Sequence, residues 1–355
     1  MLSGKGQDNS DFSGVDETFV ELTRRERGNV MMKRAISAIA GTVMCFQWML
    51  RVSRPAVTII VYHRIAPENI RGVVPYISVR RDELLRQFRF FKRYYAVISL
   101  EEAVTRLRDG SVDRHYLVVT FDDGYMDNYT LGTGLFAAEG IRPAIFITTG
   151  CTDQRILLWP DRVREIVYSA PLKKPVQIGT PNVSLEGGIQ SRIKTVKTII
   201  KYLKSRNADY RACYLAGLER SLNAWHRPAD LMLDWDSVRR LAQSGATIGS
   251  HTCTHTILSS LREGEIMDEI GISKERLEAE LGKPVHYFAY PNGTEKDFNG
   301  TAVEHLKKAG YEAALTTIRG CNRPGADLYR LRRTGIYHTD TLLDIKMKLG
   351  RELAL

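Results

Sequence analysis

The stretch YLVVTFDDGYMDN, Tyr116 to Asn128, carries a run of strand-forming apolar residues straight into two adjacent carboxylates, Asp122 and Asp123, followed by Gly124. Apolar and β-branched residues in succession, with no polar alternation, predict a strand buried on both faces, as in a parallel sheet covered by helices. The runs AVTIIVY (Ala56 to Tyr62), PAIFITT (Pro143 to Thr149), GATIGSH (Gly245 to His251), VHYFAYP (Val285 to Pro291) and EAALTT (Glu312 to Thr317) read the same way. Between them lie amphipathic segments, RDELLRQFRFFKRY (Arg81 to Tyr94), SVRRLAQSG (Ser237 to Gly245) and TAVEHLKKAG (Thr301 to Gly310), the last two ended by glycine. This alternation predicts an α/β fold with a mainly parallel sheet, open or closed into a barrel. Functional groups in such folds collect at the carboxyl ends of strands, where Asp122 and Asp123 stand.

Two carboxylates this close do not both ionise comfortably without a cation or a proton to share. The stretch IGSHTCTHTILSS supplies His251 and His255 four residues apart, a spacing that on one helical turn points both imidazoles the same way. Two histidines and one carboxylate suit zinc and leave a coordination position open for water, the pattern of a catalytic site. DDGYMDN lacks the alternating oxygen ligands and distal glutamate of a calcium loop.

The motifs TFDDG (Thr120 to Gly124), SHTCTH (Ser250 to His255) and VYHRI (Val61 to Ile65) together resemble the polysaccharide deacetylase family, also called the NodB-homology or carbohydrate esterase family 4 domain. The resemblance spans about residues 56–340 and implies a distorted, incomplete (β/α) barrel. It implies that Asp123, His251 and His255 hold a divalent metal, most often Zn2+, and that Asp122 is the general base. It also implies an oxyanion donor in FAYPNG, at Tyr290, Pro291 or Asn292, and a histidine acid late in the domain, for which His338 is the candidate. The family's third motif carries an arginine that pairs with the catalytic aspartate. Ala289 stands at that position here, so Arg332 or Arg333 is expected to reach in from the last strand, and the tryptophan-containing fourth motif is not recognisable. The expected activity is removal of N-acetyl groups from hexosamines of an N-acetylated polysaccharide or a lipid-linked glycan, with a silent sugar-binding member as the alternative. Inserted helices add a looser likeness to deacetylases of exopolysaccharide synthesis.

The remaining residues bound this reading. The 355-residue chain is 43% apolar and carries 51 Lys and Arg against 41 Asp and Glu. The excess permits an anionic partner, yet no nucleic-acid reader motif is present. Five scattered cysteines include no C-x-x-C pair, which suggests neither a thiolate zinc site nor a disulfide framework and suits a reducing compartment. Residues 1–34 read as a mobile basic tail. Ala35 to Leu50 reads as a hydrophobic helix (35–55) packed on the domain or lying at a membrane surface, the domain being cytoplasmic; the alternative is a signal anchor that leaves it outside. Residues 151–233 read as a helical insertion, with the apolar face Ile193, Val196, Ile199, Ile200 and Leu203 of one helix riding on the barrel, and 341–355 as a C-terminal helix. His63 lines the site or satisfies a buried hydrogen bond, and His115, His226, His286 and His305 are structural or surface residues. Asp127 is expected to cap a helix, Cys253 to point into the core, and Trp159 to stack on a sugar or pack.

Overall fold

The computed structural model describes residues 46–67, 77–171, 176–186, 188–206, 208–224, 231–337 and 339–354. The strands among them are β1 (Val57–Tyr62), β2 (Arg64–Ala66), β3 (Ser78–Arg80), β4 (Ala96–Val97), β5 (Tyr116–Phe121), β6 (Ala144–Ile147), β7 (Val176–Ile178), β8 (Val183–Leu185), β9 (Thr247–Ser250), β10 (Tyr287–Ala289), β11 (Ala313–Leu315) and β12 (Thr334–Gly335). Eight form one parallel sheet in the order β11-β10-β9-β6-β5-β1-β12, with β4 beside the start of β5. Residues 331–335 draw its edges together: Leu331 bridges to Leu315 of β11, and β12 pairs with β1. The sheet is therefore a curled, incompletely closed barrel, as the alternation of runs and the resemblance predict.

Because the side chains of each strand alternate in direction, both of its faces are used. Val57, Ile59, Val118, Ala144, Phe146, Ala289 and Leu315 meet inside the curl. Ile60, Tyr62, Val119, Phe121, Ile145, Ile147 and Phe288 face the surrounding helices. Helix Arg81–Tyr94 contributes Leu84, Phe88 and Phe91 from one stripe to that outer layer. Helix Leu100–Asp109 closes the end of the barrel where the strands begin, packing Leu100, Val104 and Leu107 into the inner core. Its Glu101 accepts from Thr247 at the start of β9, and its Arg108 pairs with Glu312 beside β11.

The insertion leaves after β6 and builds a core of its own. Helices Trp159–Ser169, Ile189–Leu203 and Ala208–Leu222 and the β7–β8 hairpin enclose Val163, Ile166, Val196, Ile199, Leu203, Leu215 and Leu218. The apolar face that begins at Ile193 thus packs inside the insertion rather than on the barrel, because a stripe of that width is buried more completely by two neighbouring helices and a hairpin. Residues 46–52 are helical, and Phe46 packs against Phe90 and Tyr94. The expected basic tail and the first part of the hydrophobic helix lie outside the described residues, and the C-terminal helix runs Leu342–Ala354.

Candidate metal and catalytic site

The strand ends β5 and β9 lie on one rim, with β6 between them. Beyond β5 the chain turns sharply, with Asp123 at φ 79° and Gly124 at φ 82°. The two left-handed residues send the neighbouring carboxylates in different directions. A Cβ at Gly124 would also sit 3.3 Å from Ile147 Cδ1, so the glycine serves both the turn and the packing.

Asp123 Oδ1 stands 3.3 Å from Nε2 of His251 and 3.3 Å from Nε2 of His255, all three residues being buried. The histidines do not occupy a helical turn as expected. They sit on a loop in which Thr252 and His255 have φ of 65° and 56°, and convergence comes from that left-handed backbone. Thr252 Oγ1 accepts from the His255 amide, and the Glu269 carboxylate accepts from the amides of Cys253 and Thr254, which fixes the loop. Cys253, expected in the core, is half-buried and lines a cavity with Trp159 and Arg211.

A divalent cation fits this donor set. His251 Nδ1 lies 2.7 Å from the Ala289 carbonyl, so it donates there and its Nε2 lone pair faces Asp123. Asp123 Oδ1 is buried without a hydrogen-bond donor, and the three ligand atoms all lie within 4.8 Å of one another. Ligands about 2.1 Å from a tetrahedral ion stand about 3.4 Å apart, close to the observed separations. Burial alone would push the Asp123 carboxyl up, but the two histidines outweigh it and hold the group well below the usual carboxylate range. Burial likewise pulls the His251 imidazole down, and the aspartates more than restore it.

Asp122 occupies a different environment. Its two oxygens each accept from Arg333, Oδ1 from Nη1 at 2.7 Å and Oδ2 from Nη2 at 2.7 Å, and the guanidinium is fully buried. Arg333 Nε donates to the Thr316 carbonyl, Nη1 also reaches Thr120 Oγ1, and the guanidinium lies over the Phe146 ring. Burial would raise the Asp122 carboxyl, and the charge and hydrogen bonds of Arg333 hold it below its ordinary value. Arg333 is thus the arginine that FAYPNG lacks. Arg332 turns the other way and donates to the Arg319 carbonyl, so it is not a support residue.

The other expected site residues divide. His63 is half-buried beside the rim, close enough that its charge would favour the ionised forms of both aspartates. Tyr290 is a correction: its ring stacks on Phe298 with centroids 4.1 Å apart, its hydroxyl donates to the Tyr329 carbonyl and its amide to Leu315, so it offers no oxyanion donor. Pro291 has no N–H, and Gly293 donates to Pro291, which leaves the Asn292 amide as the donor in this stretch not committed elsewhere. His338 lies outside the described residues. Asp127 does not cap its helix; its carboxylate accepts from the Ile65 amide and from Arg64, tying β2 to the site loop. Trp159 lies under the Arg211 guanidinium and lines a cavity of about 200 Å³ with Cys253, Thr254 and Thr256.

The sequence reading also missed a network. Tyr125, next after Gly124, donates to the buried Asp161 of the insertion at 2.6 Å, and Arg164 pairs with the same carboxylate. The Arg64 guanidinium covers the Tyr125 ring. No local pattern in WPDRV marks Asp161, since a carboxylate in the first turn of a helix is normally solvated.

The chain is similar to known proteins in part of its sequence and in its fold. Residues 192–314 match the profile of the polysaccharide deacetylase family, a span that includes both histidines and FAYPNG but not Asp122 and Asp123. YxkH of Bacillus subtilis, assigned to the polysaccharide deacetylases, is 26% identical over 101 residues, covering 28% of this chain and 35% of its own length. The chain thus matches about a third of that curated relative. Among solved structures, the deacetylase PplD of Streptococcus pyogenes superposes with a TM-score of 0.56 at 16% identity, covering 83% of this chain and 99% of that one. IcaB from Ammonifex degensii gives 0.55 at 17% identity, covering 85% and 99%. A de-N-acetylase from Aggregatibacter actinomycetemcomitans gives 0.53 at 16% identity, covering 82% and 99%. These likenesses establish the shared fold, and the profile match makes residues 192–314 similar to the polysaccharide deacetylase family.

Proposed function

We propose that the protein is a divalent-metal-dependent hydrolase that removes N-acetyl groups from N-acetylhexosamine units of a polysaccharide or lipid-linked glycan, in the setting of exopolysaccharide synthesis. The carrying observation is the division of labour between neighbouring carboxylates: Asp123 faces two imidazoles, and Asp122 is held by Arg333. A cation held by Asp123, His251 and His255, for which zinc suits the donor set, would acidify water and polarise the amide carbonyl.

The chain's own groups do the rest. Asp122 is kept ionised and so is ready to take a proton from the attacking water; each of its oxygens retains a lone pair beyond the one given to Arg333. The Asn292 amide is the candidate donor to the developing oxyanion. His338 is the candidate acid for the departing sugar amine, which leaves with a proton as acetate is released. The silent sugar-binding alternative drew its support from the missing arginine, and Arg333 removes that support.

The test is acetate release from N-acetylglucosamine oligomers by the zinc-loaded protein. Asp122→Asn is expected to lower turnover by about 10²- to 10⁴-fold while leaving metal content near that of the unaltered protein. A His251→Ala, His255→Ala variant that keeps its circular dichroism is expected to lose metal and activity together. Full metal loading with sugar binding and no acetate from any N-acetylated glycan would favour the silent alternative.

A further inference from the structure

The end of the barrel opposite the rim carries an apolar and basic surface left uncovered among the described residues, whose chemistry is not explained by catalysis. The helical residues 46–52 lie beside the starts of β1 and β5. Ser53 Oγ lies 3.3 Å from His115, which also bonds to the Leu50 carbonyl, and Val57 of β1 exchanges backbone hydrogen bonds with Asn322. One face of this helix is anchored: Phe46 is buried against Phe90 and Tyr94, and the C-terminal helix crosses it at Gly350, where a Cβ would come within 3.4 Å of Met49 Sδ. The other face presents Trp48 at 61% and Val52 at 57% exposure, four residues apart and so on one stripe. Two cavities flank the helix. One is lined by Arg51, Arg93, Arg114 and His115, the other by Trp48, Val52, Arg54 and Arg323. Asp113, next to Arg114, is paired with it.

An exposed indole and valine ringed by five arginines suit the boundary of an anionic bilayer. There the indole sits at headgroup depth, the valine reaches the acyl chains, and guanidinium groups meet phosphates. The helix also continues the apolar run that begins at Ala35, whose first part lies outside the described residues. We infer that this face docks the protein on an anionic lipid surface, with Trp48 and Val52 inserted and Arg51, Arg54, Arg93, Arg114 and Arg323 against the headgroups. Catalytic residues at the far ends of the strands, a strand length of about 20 Å away, then face outward from the membrane toward a polymer in solution. The inference stands independently of the deacetylase reading.

Full-length protein is sedimented with vesicles of phosphatidylglycerol and phosphatidylcholine, and with phosphatidylcholine alone. Binding is expected to the anionic vesicles, to fall steeply between about 0.05 and 0.5 M salt, and to weaken about tenfold in Trp48→Ser/Val52→Ser and in Arg51→Ala/Arg54→Ala/Arg93→Ala. Both variants are expected to retain the unaltered melting profile and acetate release from soluble oligomers. Three outcomes would overturn the inference: no binding to anionic vesicles; equal binding by the unaltered protein and both variants, which would assign it to another segment; or a dimer abolished by Trp48→Ser, which would mean that a second copy covers the face.

Discussion

Arg333 and Asp122 show how one residue pair sets the character of the site. A guanidinium with no exposed surface is tolerable only while Asp122, Thr316 and Thr120 accept its hydrogen bonds. Removing the cation strands the carboxylate in the barrel, so Arg333→Gln is expected to lower unfolding free energy by about 3–5 kcal/mol. Adding Asp122→Asn is expected to recover part of that loss, because no charge is then left unpaired. Chemical denaturation of both single variants and the double variant measures the coupling, and strict additivity would mean that the pair is energetically independent. Asp122, Asp123 and His251 were legible because they follow strand-forming runs, and His255 because it stands four residues beyond His251. The choice between Arg332 and Arg333, which precede β12, was not legible, since a run of two arginines carries no phase.

At the scale of the element, β9 shows how a strand shapes a site it does not touch with a side chain. Gly249 pairs with Phe146 of β6, and a Cβ there would lie 2.5 Å from the Phe146 ring and 2.9 Å from the Tyr287 carbonyl. The missing side chain gives Phe146 its place inside the barrel, beneath the Arg333 guanidinium. Gly249→Ala is therefore expected to cost about 1–3 kcal/mol and, by pushing the ring toward Arg333, to reduce acetate release beyond what the lost stability explains. Activity measured well below the melting transition separates the two effects. The longer strands announced themselves by continuous apolar runs. A short strand is announced only where a longer run surrounds it, as at β10 and β11; RIA of β2 and TG of β12 have no such run and are held by their neighbours.

For the whole molecule, closure of the barrel depends on the C-terminal helix. Glu352 of that helix is buried and accepts a hydrogen bond from Thr334 of β12, the strand that completes the sheet beside β1. Burial raises the Glu352 carboxyl above its ordinary value, and the Thr334 hydroxyl offsets this in part. A carboxyl raised in the folded state contributes stability that is complete below its unfolded value and is lost as pH rises through the folded one. Glu352→Gln keeps the acceptor without the charge, so it is expected to melt higher than the unaltered protein at pH 7, with the difference shrinking toward pH 4. Thermal melts at the two pH values check the sign.

The sequence by itself determined the parallel α/β architecture, the rim on which the chemistry gathers and the grouping of two carboxylates with two histidines, because those depend on hydrophobic period and on which residue types follow a strand; which carboxylate joins the histidines came only from the family resemblance. Tertiary structure alone decided how the site is completed. It brought Arg333 to Asp122 from 211 positions away, joined Tyr125 to Asp161 of the insertion, committed Tyr290 to the core, and left Trp48 exposed among arginines at the opposite end. Those outcomes depend on which distant surfaces compete for the same buried space, and no local pattern of residue types records that competition.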